Sequence, residues 1–362
     1  MYVIPISFYS IIPEISGTII DSSGVNANVQ KCQVTILKNG LRLAADYLSS
    51  DIETISYTTI PNSTSTWTKV SIYNHTGTPQ AVNSSCLGLD GQLHKIFGKT
   101  TGLGCMHART TDDGETWIVS DTSLIWSLER GTGISPRADG TFFCASGKQV
   151  FYTTDTTGDS SWNEIFDCPT STAAGNTTTA LILSRPALIR NLGTVITYFL
   201  ADNDGSLLSD WQSGGNTVIQ TVGSFTSSPV ITSLTSIDGN PAFIAVDLIN
   251  NLHYYRSTTT DGSGAWSGSV IQTDANASQA TVLQDGSMTV VINGSGFPVI
   301  GYHTSTGFKV IVNNQTDGLG TWSILFDNNT ISTPNIGSTD VQYFNNKVRF
   351  VDFRTEDIKI YF

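Results

Sequence analysis

Charge is what this sequence has least of. Only 13% of its 362 residues are Asp, Glu, Lys or Arg, about half the share of an ordinary soluble domain. The little charge present is one-sided, and the formal net charge is −12. An acidic surface repels phosphate backbones, which argues against nucleic acid as a partner and against anionic membrane surfaces. Long apolar runs are missing as well: none reaches the ~18 residues that cross a bilayer as a helix. No long stretch has a 3.6-residue apolar period, so long helices are not expected. The apolar opening, Met1 to Ser10, has no basic segment. Pro5, Pro13 and Glu14 interrupt it, and no small-residue cleavage site follows. It reads as a strand rather than a secretory leader, which implies synthesis in the cytoplasm.

Cysteine is sparse and odd in number: five, at 32, 86, 105, 144 and 168, with no Cys-x-x-Cys. This disfavours a disulfide scaffold and suits buried thiols in a reducing compartment. The five histidines (75, 94, 107, 253, 303) lack metal-ligand spacing, so neither metal nor cofactor is expected. There is no Gly-x-Ser-x-Gly elbow and no phosphate-binding loop. What fills the composition instead is Ser, Thr, Asn and 33 Gly around a 39% hydrophobic, 10% aromatic content. That mixture suits short strands joined by many tight turns.

One pattern recurs. Three β runs separated by polar turns lead into a Thr/Asp/Gly-rich turn, and a Trp opens a fourth run. Thr260-Asp261-Gly262-Ser263-Gly264-Ala265-Trp266-Ser267 parallels Thr316-Asp317-Gly318-Leu319-Gly320-Thr321-Trp322-Ser323. Trp67, Trp117 and Trp162 follow one another at intervals of 50 and 45 residues; Trp162, Trp266 and Trp322 at 104 and 56. Trp211 falls out of phase and reads as a non-equivalent residue. A four-stranded unit repeating about every fifty residues is the unit of a β-propeller blade. The expectation is a single all-β domain, a seven-bladed propeller, with six blades as the alternative. Its blades would cover about 34–80, 81–130, 131–175, 176–225, 226–276, 277–330 and 331–362. The last segment has about three strands of its own, so strands from residues 1–33 are expected to complete it and remove two exposed edges.

Thr110-Thr111-Asp112-Asp113-Gly114-Glu115-Thr116-Trp117 resembles the Asp-box of sialidase-type propellers at every defined position. The copies around Asp155–Trp162, Asp261–Trp266 and Asp317–Trp322 are looser. They are closer to the repeats of non-catalytic bacterial and phage surface propellers than to those of true sialidases. The resemblance implies a structural turn joining third and fourth strands, on the face opposite the ligand. Thr110 and Asp112 would bond the turn backbone, Gly114 would take a positive φ, and Trp117, Trp266 and Trp322 would be largely buried between blades. A sialidase would also need three convergent arginines, a Tyr–Glu pair and an acid/base Asp, and its early Arg-Ile-Pro signature is absent. Arg109 and Arg256 read as repeat-equivalent strand residues, and Arg185 and Arg137 as poor substitutes. No catalytic residue is therefore assigned.

If the box turns lie on one face, the turns between second and third strands lie on the other. Asp46, Asp202, Asp247 and Asp352 each close an expected second strand, with Tyr47, Phe199, Tyr302, His303, Phe353 and Arg354 beside them. One reading is simple turn capping. The other is an acidic, aromatic ring for sugars, whose hydroxyls need acceptors and whose C–H faces stack on rings. The expected function is a non-enzymatic propeller that binds a glycan or protein surface partner. A virion or phage-tail component, assembled into a larger particle, fits the composition. A structural assembly protein and a divergent glycoside hydrolase are the alternatives.

Overall fold

The structure, a computed structural model, describes residues 17–21, 33–37, 42–49, 51–59, 66–76, 83–99, 104–124, 132–146, 149–167, 177–211, 218–225, 229–275, 289–328, 339–344, 347–353 and 358–361. In chain order the strands are β1 (Gly17–Asp21), β2 (Gln33–Ile36), β3 (Leu43–Ser49), β4 (Ile52–Thr58), β5 (Thr68–Asn74), β6 (Asn83–Leu87), β7 (Leu93–Gly98), β8 (Cys105–Thr110) and β9 (Trp117–Asp121). Then come β10 (Thr132–Pro136), β11 (Phe142–Ser146), β12 (Gln149–Thr153), β13 (Trp162–Asp167), β14 (Thr177–Ile182), β15 (Arg185–Leu192) and β16 (Val195–Leu200). A one-turn helix, α1 (Leu208–Trp211), precedes β17 (Val218–Ser224), β18 (Val230–Ile237), β19 (Asn240–Val246), β20 (Leu252–Ser257) and β21 (Trp266–Gln272). The chain ends with β22 (Thr289–Ile292), β23 (Pro298–His303), β24 (Phe308–Asn313), β25 (Trp322–Asn328), β26 (Thr339–Phe344), β27 (Lys347–Phe353) and β28 (Ile358–Tyr361).

Six antiparallel four-stranded sheets are each built from four consecutive strands, β2–β5 through β22–β25. Six is therefore the number of blades that a continuous stretch of chain makes, as in the alternative count. A further four-stranded sheet joins the two ends of the chain in the order β1-β28-β27-β26. Gly17 pairs with Tyr361 and Thr18 with Ile360 in that sheet, so an N-terminal strand completes the C-terminal segment. The first strands β2, β6, β10, β14, β18, β22 and β26 are the inner ones. β10 lies against β6 and β14, β18 against β14 and β22, and β26 against β22 and β2. The result is an all-β propeller.

Tight turns and β-rich runs explain why each sheet forms. Second strands such as β7, β19 and β23 are buried along nearly their whole length, because a neighbouring sheet covers each face. That is why β19 and β23 read as mainly apolar runs rather than alternating ones, whereas β7 buries His94 and Lys95 as well. Fourth strands such as β21 and β25 are mostly exposed or half-buried. The core is a series of layers between sheets. Ile96 and Cys105 meet Phe142, Cys144, Phe151 and Trp162 across one seam; Phe143 and Val150 meet Leu188, Phe199 and Trp211 across the next. Cys105 and Cys144 are buried and Cys86 is half-buried. Cys32 and Cys168 lie outside the described residues.

Candidate functional site

The turns sort onto two faces. Arg42, at the first-to-second-strand turn of the first sheet, donates to the Asp113 carbonyl at 2.7 Å and to Glu115 at 2.5 Å in the third-to-fourth-strand turn of the next. These two kinds of turn therefore share a face. The turns between second and third strands, with the links from one sheet to the next, make up the other.

On the first face four turns repeat one arrangement. Thr110 Oγ1 accepts the Gly114 N–H at 2.7 Å, and Asp112 accepts both the Thr116 N–H and the Thr116 hydroxyl, at 2.6 and 2.8 Å. Asp155 holds the N–H and hydroxyl of Thr157 and the hydroxyl of Ser160; Asp261 holds the N–H and hydroxyl of Ser263. Asp317 accepts the Leu319 N–H alone, and Asn313 stands where the others carry Thr or Ser. The indoles of Trp117, Trp162 and Trp266 donate to the carbonyls of Gly114, Gly158 and Gly262. Gly114 takes φ 93° and Gly158 φ 72°, a region costly for residues with a Cβ. Bonds from hydroxyl and amide groups hold Asp112, Asp155 and Asp261 below the usual carboxylate range, outweighing burial in each case. These acids are committed to their own turns.

Three expectations are corrected here. Trp162 is buried, but Trp117, Trp266 and Trp322, which open outermost strands in the same way, are only half-buried. Trp211 does belong to the series. It is buried and donates to the Gly205 carbonyl at 2.8 Å, the bond that Trp117, Trp162 and Trp266 make, but from α1 instead of a strand. The same sheet moves Asp202. Its second-to-third-strand turn is Gly193–Thr194, between β15 and β16, and Asp202 follows the third strand. Asp202 therefore sits on the repeated-turn face, bonded to Arg185 at 3.1 Å.

Of the aromatics expected to stack on sugars, Tyr47, Phe199 and Tyr302 are buried, and the Phe353 side chain lies outside the described residues. The Tyr47 and Tyr302 hydroxyls are bonded to Ser56 and Asp274. Phe199 packs in a seam. These aromatics sit in or beside second and third strands, which have no solvent face. Asp46 closes no strand; it lies inside β3 and is 1% exposed. Asp247 is a turn cap: it accepts the N–H groups of Ile249 and Asn251 and pairs with His253 at 2.9 Å. Those bonds outweigh burial and hold its carboxyl below the usual range. His303 is buried at the end of β23. Asp352 pairs with Thr339 and Lys359 in backbone register; Arg354 lies outside the described residues.

The structure adds a cluster of charges that pattern and spacing had missed. Between the first two sheets, Lys95 Nζ contacts Asp46 and reaches Glu53 at 2.6 Å, while His75 bonds Glu53 at 3.1 Å. All four residues are buried. Burial pushes the Asp46 carboxyl up. Burial works the same way on Glu53, but Lys95 and His75 outweigh it and keep that carboxyl ionised. Burial also works to lower Lys95, and its two acidic partners reverse the effect. Asp46 is further bonded by Ser85 of the inner strand β6, so the cluster reaches the inner ring. That ring is rich in uncharged polar side chains: Thr35, Ser85, Thr178, Thr179, Ser233 and Gln342 are all half-buried on inner strands. Among the described residues no group of three or more His, Cys, Asp and Glu is placed to hold a metal ion. No helix among them is long and apolar enough to cross a membrane.

No family model matches the chain, and no curated protein matches it. Solved structures do. A fungal alcohol oxidase in complex with copper superposes with a TM-score of 0.60 at 8% identity, over 96% of this chain and 75% of that one. The SapL1 lectin in complex with alpha methyl fucoside gives 0.52 at 10%, over 84% and 98%. An alpha-L-arabinofuranosidase from Fusarium graminearum in complex with an iminosugar inhibitor gives 0.50 at 11%, over 77% and 91%. At such identities the likeness establishes the propeller fold.

Proposed function

We propose that this chain is a non-enzymatic propeller that binds a glycan at its inner ring, on the face away from the repeated turns. The observation that carries this is the chemistry of the inner strands. They offer Ser, Thr and Gln hydroxyl and amide groups, half-buried and uncharged, around a common axis. Such groups donate and accept, as a polyhydroxylated ligand requires. Of the carboxylates on neighbouring strands and turns, Asp46 and Glu53 are committed to Lys95 and Asp247 to its turn and His253, while Asp340 lies on the inner strand β26 itself. That arrangement supports binding over acid–base catalysis, which needs a carboxylate free to exchange a proton with substrate. The lectin neighbour, seen with a fucoside, supports the same reading by analogy of fold alone. We take the repeated turns as Asp-boxes with a purely structural role, and a place on a particle surface as the setting that suits so weakly charged a chain.

A glycoside hydrolase is the second reading, favoured by the arabinofuranosidase neighbour. A glycan array probed with the full chain, followed by incubation of the bound glycans and product analysis, separates the two. Retention without cleavage is the expected result. Cleavage would establish the second reading, and no retention of any glycan would remove both.

A further inference from the structure

Four titratable side chains form a line across the seam between the second and third sheets. Asp90, in the turn before β7, faces His94 Nε2 at 3.6 Å. His94 Nδ1 lies 3.2 Å from His107 Nε2 of β8. His107 Nδ1 lies 3.5 Å from Asp159, in the turn after β12. Arg109 closes the far end with two bonds to Asp159, at 3.0 and 2.8 Å. Asp155 of the same turn also acts on His107. Both imidazoles are fully buried, packed against Phe142 and Trp162. Gly158 lies so close that a Cβ there would come 2.7 Å from the His107 ring.

Counting protons exposes an imbalance. Two neutral imidazoles carry two ring N–H groups, whereas the line has three gaps to fill. One N–H must occupy the His94–His107 gap, since two bare nitrogens at 3.2 Å repel. The other is drawn to Asp159. Burial opposes ionisation of Asp159, but the contacts with His107 and Arg109 outweigh it and hold the carboxyl well below the usual range. His94 Nε2 is then a bare acceptor facing the Asp90 carboxylate. Asp90 is half in solvent, with a side-chain exposure of 48%, and its Oδ1 caps the Gln92 N–H at 2.9 Å.

We propose that this seam is a one-proton acid latch: His94 Nε2 takes up a single proton on acidification and thereby clamps the Asp90 turn onto the second sheet. The added proton converts a repulsive contact into a charge-assisted bond and fills all three gaps. A second proton has no place, because it would set N–H against N–H between the two rings. Burial, then the neighbouring His107, push His94 down to about 4, so the latch stays open at neutral pH. The latch does not depend on what the ring binds.

The test is a nitrogen-15 NMR titration of the histidine rings in the full chain, from pH 7 to 3.5, with hydrogen exchange followed at residues 88–92. One Nε2 of His94 should gain a proton below pH 5, and exchange at 88–92 should slow at least threefold across that step. Asp90→Asn keeps the Oδ1 cap on Gln92 and removes the charge. It should move the His94 midpoint down by half a unit or more and abolish the slowing. Titration of His94 near 6.5, an unmoved midpoint in Asp90→Asn, or unchanged or faster exchange at 88–92 in the acid form would each overturn the latch. Should Asp90→Asn fail to fold, the wild-type titration and exchange data decide alone.

Discussion

The two faces of this ring are built on different logics. On one, the turns after β8, β12, β20 and β24 repeat a pattern in which an acid holds the turn backbone, and three of the four following indoles bond a glycine carbonyl. The turn after β16 reaches the same indole bond through α1. On the other face no two described turns are alike. The 247–251 turn is capped by an acid that also pairs with a histidine. Asp51, whose carbonyl accepts the His75 N–H at 2.8 Å, adjoins β4 and its buried Lys–Asp–Glu–His cluster. Repetition marks what every sheet needs in order to close against its neighbour. Individual chemistry marks where one sheet departs from the rest, and that is where binding is to be sought.

The comparison breaks most sharply at Lys95. Lys95→Met leaves Asp46 and Glu53 buried without their cation, and removing one partner of a buried ion pair costs about 3–5 kcal/mol. Urea unfolding should show a loss of that size, partly recovered when Asp46→Asn and Glu53→Gln are added. A loss under ~1 kcal/mol would mean that the cluster is not closed to water.

The repeated face makes a graded prediction. Trp162→Ala and Trp211→Ala remove fully packed rings and should each cost about 3–5 kcal/mol. Trp117→Ala removes a half-buried one and should cost about half as much. Equal losses for Trp162 and Trp117, or a small loss for Trp211, would show that the indole bond does not define one class of turn.

Acid should lower the stability of the whole chain next. His94 titrates at about 4 in the folded chain, against an ordinary value near 6.5. The unfolded chain takes the proton first. The stability that neutral His94 contributes is therefore present above pH ~6.5 and is lost as pH falls toward 4, at about 1.4 kcal/mol per unit. His94→Phe should flatten that part of the pH–stability profile. A profile equally steep in His94→Phe would place the acid sensitivity elsewhere.

Much of the scaffold was legible. The tryptophan spacing and the Gly-rich turns marked the four-stranded units, because turn chemistry is local and repeats. The fourth sheet was misphased for a local reason as well. Asp202-Asn203-Asp204-Gly205 is the stronger turn signal, whereas the true second-to-third-strand turn is only Gly193–Thr194, with φ 63° at the glycine. The ligand face was less legible. A strand covered on both sides carries no alternation that would tell Tyr47 or Tyr302 apart from an exposed ring. The charged cluster was invisible because Asp46, Glu53, His75 and Lys95 come from different segments and meet only when two sheets pack together.

The central claim is that the inner ring holds a glycan through uncharged hydroxyls. Thr178 of β14 and Ser233 of β18 lie on adjacent inner strands, both half-buried, and Thr178→Val with Ser233→Ala removes two hydroxyls at nearly constant volume. The deciding measurement is calorimetric titration of the array-selected glycan into wild type, this double variant, and Thr116→Val on the opposite face. At about 0.5–1.5 kcal/mol for each hydrogen bond, the double variant should bind about 5- to 160-fold more weakly, with Thr116→Val unchanged. Unchanged binding in the double variant, or a loss confined to Thr116→Val, would contradict the account.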